Sequence, residues 1–300
     1  MDDRGVAEDD DRGSAQWADA RWPADDHVHS QYSWDAHSGD LEATCARAVQ
    51  LGLPAISFTE HVDFGAWQPP PGGWTWNGAV RGRMDDHGRF MSAPLEVQAY
   101  VEEVERCRHL FPGLRIRCGI ELSEGHRFPD EVAELAGWGF ERVVGSLHAL
   151  QDLRHPGEVV ELRGALAQRG LLGTVHAYLD EAAVMAASDA PFEVLGHLDY
   201  PLRYWPAGAG PLPWDDLEER VRHVLSVLAS SGRALEVNTR RPMEVQVVRW
   251  WHEVGGQAVS FGSDAHRPED LAVRWREVAD AVSSAGFRPT ADPTSFWSRA

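Results

Sequence analysis

Apolar runs such as LPAISFTEH, IRCGIEL, RVVGSLHAL, FEVLGHLDY, LEVN and QAVSFGSDAH punctuate the chain, and between them apolar residues recur at helical spacing. The runs are short, which fits strands, and they place seven strand ends near His29, His61, Glu121, His148, His197, Asn238 and Asp264. The clearest helix is predicted over 214–231, where Trp214, Leu217, Val221, Val224, Leu225 and Leu228 share a face. Asp215 and Asp216 lie in its first turn and Gly232 follows its end. Further helices are expected over about 40–51, 94–110, 129–138, 165–188, 242–254 and 268–285. Strands regularly separated by helices predict an α/β fold of parallel β/α units rather than a sandwich.

Two stretches break the repeat. Residues 63–93, with Pro69-Pro70-Pro71, Gly72-Gly73, Trp67, Trp74 and Trp76, read as a long loop over the barrel mouth, and 151–164 as a shorter one. The tryptophans serve there either to pack the loop or to touch substrate. Residues 1–22 are rich in Asp and Gly and too poor in apolar residues to repay chain ordering, so a disordered acidic lead is expected before a single domain over 23–300.

Six of the seven strand ends carry a residue able to bind a metal, and the seventh carries Asn238 followed by Arg240-Arg241. In a β/α barrel the downstream strand ends meet at one mouth, so ligands far apart in sequence converge there. An open doubly wound sheet would struggle to bring six strands to one point. His27 and His29 alternate, so both face one side of their strand, and Asp264-Ala265-His266 repeats that geometry. Glu121 stands alone between Ile120 and Leu122; a carboxylate buried there needs charge partners, and bridging two cations would supply them. His61, His148 and His197 complete the set, each with the alternative of being a core histidine. For His87, His109, His126, His155, His176, His223 and His252, structural or solvent roles are expected.

The 300 residues carry a net charge of −19, which disfavours nucleic-acid polymers and anionic membranes as partners. An anionic substrate would then need metal ions or a few arginines. No apolar run approaches the roughly 18 residues of a membrane-spanning helix. The acidic start lacks a signal peptide's apolar stretch. Cys45, Cys107 and Cys118 are scattered and odd in number, which points to reduced thiols and a cytoplasmic protein.

DDHVHS, FTEHVDF, GIEL, GSLHAL, GHLDYP, EVNTRRP and GSDAHRPED, in this order over about 25–275, resemble the polymerase and histidinol phosphatase (PHP) superfamily, most closely its monofunctional histidinol-phosphatase branch. The resemblance implies a distorted seven-stranded (β/α)7 barrel with three divalent metals. Carried over by position, it implies that His27, His29, Glu121 and Asp264 hold one metal and Glu121, His148 and His197 a second. His61, His266 and one loop residue would hold the third. Where the branch often has a histidine, six residues after His29, this chain has Asp35, with His37 two further on. Gapless alignment favours Asp35, and a carboxylate there would favour manganese or iron over zinc.

The implied activity is hydrolysis of a phosphate monoester, with L-histidinol phosphate as substrate and histidine biosynthesis as context. Two or three Zn, Mn or Fe ions would offset charge on the phosphoryl oxygens. Arg203, Arg240, Arg241 and the weaker candidate Arg267 follow strand ends and are candidates for holding phosphate, each with a rim salt bridge as the alternative. Asp264, His266 and a metal-bound water are candidates for proton transfer to the leaving group. Competing readings are a PHP phosphoesterase for nucleotides or other small esters, an amidohydrolase-like enzyme, which would call for a bridging lysine that no strand end shows, and a non-catalytic metal-binding module. Oligomeric state is not legible.

Overall fold

A computed structural model of the chain describes residues 22–70, 72–74, 80–206, 208 and 210–300. Apart from Trp22, the expected acidic lead lies outside the described residues, as do Pro71 and Trp76 of the long loop. Strands β1 (Asp25–Val28), β2 (Ala55–Asp63), β3 (Arg115–Ser123), β4 (Arg142–Ser146), β5 (Val194–Leu195), β6 (Ala234–Asn238) and β7 (Ala258–Gly262) lie side by side in chain order, all parallel. One α-helix follows each: α1 (Leu41–Leu51), α2 (Val97–Leu110), α3 (Pro129–Leu135), α4 (Leu162–Ala187), α5 (Trp214–Ser230), α6 (Val245–Glu253) and α7 (Trp275–Ser284). The sheet curls until its first and last parallel strands meet: Asp264 N donates to His27 O and His29 N to Ala265 O, both at 2.8 Å. Antiparallel strands Trp297–Arg299 and Phe287–Arg288 extend β7 on its outer side.

Local chemistry sets the helix limits. Asp40 caps α1 by accepting from Ala43 N at 2.8 Å, and Gly52, at φ 72°, ends it in the left-handed region. The helix expected over 268–285 begins late, at Trp275. Pro268 opens a separate 3-10 turn, and positive φ at Ala272 (55°) and Arg274 (57°) interrupts the helical path. The helix expected over 165–188 begins earlier, at Leu162, and is broken at Gly170 (φ 67°).

Period-two alternation then decides what faces inward. In β2, Ile56 and Phe58 join the large apolar core beneath the helices, while Ser57, Thr59, His61 and Asp63 occupy the other face. Their register partners on β3 are Arg117, Gly119, Glu121 and Ser123. The interior of the curled sheet is therefore polar in rows, with structural pairs at the bottom and His61 beside Glu121 near the top. Asp26 anchors the bottom row, taking Ser57 Oγ at 2.7 Å, Arg117 Nη1 at 3.2 Å and Arg142 Nε at 3.3 Å. β1 carries one extra residue against β2, since Asp25 pairs with Ile56 but Val28 with Phe58. This bulge turns Asp26 to the bottom row while His27 enters the top one.

The two stretches expected as separate loops form one structure. Gly82–Met84, Phe90–Ser92 and Trp67–Gln68 from the first pair with Val159–Glu161 and Ala149–Gln151 around the second to make a five-stranded sheet. Trp34, Trp67, Phe90, Ala149 and Val159 form its apolar core. Segments of two or three residues are too short to show periodicity, which is why the sequence reads as loop there.

Asp26→Ala would leave the buried guanidiniums of Arg117 and Arg142 without their shared carboxylate. The expected loss is about 3–5 kcal/mol of unfolding free energy, measured by urea denaturation. A loss below about 1 kcal/mol would show that this row does not hold the barrel floor together.

Candidate metal centre

Glu121, fully buried on β3, has five imidazoles around its carboxylate. Oε2 lies 3.0 Å from His61 Nδ1, 3.4 Å from His27 Nε2 and 3.5 Å from His29 Nε2. Oε1 lies 2.9 Å from His197 Nε2 and 3.3 Å from His148 Nε2, and it also accepts from Ser146 Oγ. The residues come from five different strand ends, so the convergence follows from the curl of the sheet rather than from any local motif.

Three of the five rings are held from behind. His27 Nδ1 donates to Glu236 Oε2 at 2.6 Å, which fixes the tautomer and turns Nε2 to the centre. His29 Nδ1 lies 2.9 Å from Ser33 Oγ; that hydroxyl donates to Glu60 Oε2 at 2.5 Å, and Glu60 also takes Ser30 N at 3.1 Å. Glu60, which points away from the centre, thus ties the 30–33 loop to β2. His148 Nδ1 lies 2.8 Å from Ser123 Oγ. Gly262 is required beside this layer, because a Cβ there would come within 2.6 Å of His27 Cβ. His197 (φ 23°) and Asp264 (φ 54°) adopt positive φ, a strained choice for side chains of this size.

Three groups of atoms face common points. His27 Nε2, His29 Nε2, Glu121 Oε2 and Asp264 Oδ1 form one, with His29 Nε2 3.5 Å from Asp264 Oδ1. Glu121 Oε1, His148 Nε2 and His197 Nε2 form another, the two imidazole nitrogens being 3.4 Å apart. Asp35, with Oδ1 3.4 Å from His61 Nε2 and Oδ2 3.2 Å from His266 Nε2, completes the third. His61 stands between groups, its Nδ1 on Glu121 and its Nε2 on Asp35. Position His37 is exposed and away from these contacts.

The donor set fits divalent cations. His27 Nε2, His29 Nε2, His61 Nδ1 and Glu121 Oε2 are buried and lack hydrogen-bond partners, a combination that is costly unless a shared ion satisfies them. Mixed imidazole and carboxylate donors suit zinc, manganese or iron. Burial would lower His27, but the carboxylates of Glu236 and Glu121 overcome it and hold the ring well above the usual histidine range. Burial opposes and Glu121 and Asp63 raise His148 similarly, to about 10. His29 is instead pushed down to about 3, by burial and then by the charges of His61 and His266. Cations drawn to this carboxylate-rich site would displace protons from the rings they bind.

The arginines separate. Arg203 is partly buried, with Nη1 3.6 Å from Asp264 Oδ2; its Nε and Nη2 are buried and lack hydrogen-bond partners, and its guanidinium lies 5.4 Å from the Tyr200 ring centroid. Arg240 and Arg267 both bind Asp270, at 2.9 and 3.0 Å, on the rim. Arg241 is exposed, and its backbone N–H donates to Asn238 Oδ1 at 2.8 Å. A cleft of about 140 Å³ opens at the centre, lined by Asp35, His61, His148, His197, Asp264 and His266 together with Trp34, Trp67, Glu161 and Tyr200. Trp34, Glu161, Tyr200 and Glu236 carry no role in the sequence reading, whereas Trp67 is one of the tryptophans expected there either to pack the long loop or to touch substrate. Glu236 had a usable signal, since LEVN isolates an acid between apolar residues just as GIEL does. His126 pairs with Glu181 at 2.7 Å, a structural role.

A family model described as "PHP domain" matches residues 25–240. A histidinol-phosphatase of Lactococcus lactis subsp. lactis is 25% identical over 276 residues, covering 89% of this chain and 93% of that protein. A protein of Deinococcus radiodurans described as a probable histidinol-phosphatase is 27% identical over 280 residues, covering 88% and 94%. In structure, the chain is similar to the Lactococcus lactis histidinol phosphate phosphatase crystallised with zinc, L-histidinol and phosphate. The TM-score is 0.71 at 23% identity, with 88% of this chain and 94% of that chain covered.

Two outcomes test the centre. Glu236→Gln should weaken metal affinity about 10–100-fold in a competition titration against a chelator, because His27 loses the carboxylate that orients it. Unchanged affinity would leave Glu236 a purely structural acid. Asp35→Ala should lower the metal bound per chain, measured by elemental analysis, while His37→Ala should not; the reverse ranking would move the ligand to His37.

Proposed function

The chain belongs to the PHP domain family, and on that premise we propose that it is a metal-dependent phosphomonoester hydrolase that cleaves L-histidinol phosphate with water to L-histidinol and phosphate. The observation that carries the reading is the buried, under-satisfied guanidinium of Arg203 beside a cluster of imidazoles and carboxylates. A cationic fork next to a polycationic centre suits a phosphate dianion, whose oxygens it can bind in pairs. Curated relatives named for this activity, aligned over nearly their whole length, support the same substrate. We read the curled sheet as a distorted seven-stranded (β/α)7 barrel and residues 23–300 as one domain around its mouth, on the strength of the hydrogen bonds joining β1 to the end of β7.

His27, His29, Glu121 and Asp264 would hold one divalent ion, Glu121, His148 and His197 a second, and Asp35, His61 and His266 a third, with zinc, manganese and iron all suited to the donors. When bound, the ions supply Lewis-acid charge for the phosphoryl oxygens and a water of lowered pKa. Arg203 holds the non-bridging oxygens and stabilises the charge that grows on them in the transition state. Asp264 is held well below the usual carboxylate range: burial opposes ionisation, but contacts with His29, His27 and His266 outweigh it. It enters the reaction as an anion, able to take a proton from the attacking water and return it to the departing alkoxide. His266 Nδ1 donates to the Asp264 carbonyl at 3.0 Å, which aims its Nε2 at Asp35 and makes it a ligand before it is an acid. Arg240 and Arg267 shape the rim through Asp270. Among the described residues no helix is long and apolar enough to cross a membrane.

Phosphate release by metal-loaded protein should be measured with L-histidinol phosphate beside a panel of nucleotides. Preferential turnover of the nucleotides would replace the substrate, and turnover of neither would remove the enzymatic reading. Arg203→Ala should lower kcat/KM about 100- to 1,000-fold with bound metal unchanged. Retained kcat/KM would leave phosphate binding to the metals alone.

A further inference from the structure

The side chains lining the cleft are of two chemical kinds. Nearly all of its polar lining belongs to the metal cluster, and the exception is Glu161, which lines the cleft together with the rings of Trp34, Trp67 and Tyr200. Glu161 closes the short strand Val159–Glu161, which pairs with Trp67–Gln68, and it precedes the first turn of α4. One carboxylate oxygen, Oε2, accepts from Arg163 N at 2.9 Å, which pins the side chain. The aromatic groups beside it are fixed too. Trp34 Nε1 donates to Asp63 Oδ2 at 2.7 Å, the Trp34 and Trp67 rings meet edge to face at 5.7 Å, and Tyr200 leans on His197 at 5.2 Å.

A pinned carboxylate among aromatic faces recognises a cation, through charge-assisted hydrogen bonding and the negative faces of the rings. It repels the phosphate, which the metal cluster and Arg203 attract instead. Resting on the phosphomonoesterase reading above, we infer that Glu161 and its aromatic neighbours form a cation subsite, which selects phosphate esters bearing an ammonium or imidazolium group. Glu161 is thus a specificity-determining residue, separate from the groups that handle the phosphoryl centre. Burial raises the carboxyl's pKa against the opposing pull of Arg163 and His148, so a cationic partner would be matched to an acid that lacks full solvation.

The test uses four esters with the metal-loaded protein: L-histidinol phosphate, 2-amino-3-phenylpropyl phosphate with the amine alone, 3-(imidazol-4-yl)propyl phosphate with the imidazole alone, and 3-phenylpropyl phosphate with neither. In the unaltered protein at least one cation-bearing ester should exceed the neutral one in kcat/KM by about tenfold or more. In Glu161→Gln that ratio should collapse towards one, chiefly through KM, and Glu161→Asp should restore part of it. Whichever single-cation ester follows Glu161 identifies the group received. No preference in the unaltered protein overturns the subsite, whether or not the variant folds, and so does a ratio unchanged in Glu161→Gln. Failure of the function reading looks different: no phosphate would be released from L-histidinol phosphate at all.

Discussion

A fully desolvated carboxylate among five imidazoles is the interaction on which the architecture turns. Glu121 has no contact with water, and a charge so placed is tolerated only when its surroundings answer it. The answering groups come from β1, β2 and the segments after β4 and β5, while the end of β7 adds a second carboxylate, Asp264, beside His29. An open sheet could not deliver them. The curl of the sheet, the bulge in β1, the glycine that lets β7 pass His27 and the positive φ at His197 and Asp264 are all conditions for bringing them within 3–4 Å. Protein interiors are ordinarily apolar; this barrel places its apolar core outside the sheet, under the helices, and leaves its lumen for charge.

That inversion explains what was legible in the chain. A ligand at a strand's downstream end must sit next to a run of core residues, so His61, Glu121, His148, His197 and Asp264 each announce themselves as a polar residue closing an apolar stretch. The order of strands and helices follows the same signal. The support behind the ligands is less visible. Ser33, Ser123 and Glu60 act through distances set by loop geometry, and a serine or glutamate near a histidine in sequence carries no mark of that role. The arginines show the limit from the other side: Arg240 follows a strand end as Arg203 does, but Asp270 engages it together with the weaker candidate Arg267, whereas Arg203 meets only the edge of Asp264, at 3.6 Å, and keeps Nε and Nη2 without hydrogen-bond partners.

The cleft illustrates a related division between chemistry and selectivity. The groups suited to phosphoryl transfer rise from the main sheet, where backbone hydrogen bonding fixes their positions. The walls that would meet the rest of a substrate come from the small accessory sheet and the turn after β5, built from short strands and aromatic contacts. Variation in those additions can alter what is admitted while the central geometry stays put.

The hydrogen bonds between residues 27–29 and 264–265 carry a consequence for how the protein comes to exist. They join segments separated by most of the chain, so their closure costs loop entropy that no local contact offsets. During synthesis the early strands emerge with Glu121 already buried in prospect yet without Asp264 and His266. Until the seventh strand arrives, the half-made lumen holds carboxylates and imidazoles that water must continue to solvate. The centre therefore cannot be completed before Asp264 and His266 have been synthesised, and any free metal the nascent chain captures earlier would be bound in an incomplete set and open to exchange.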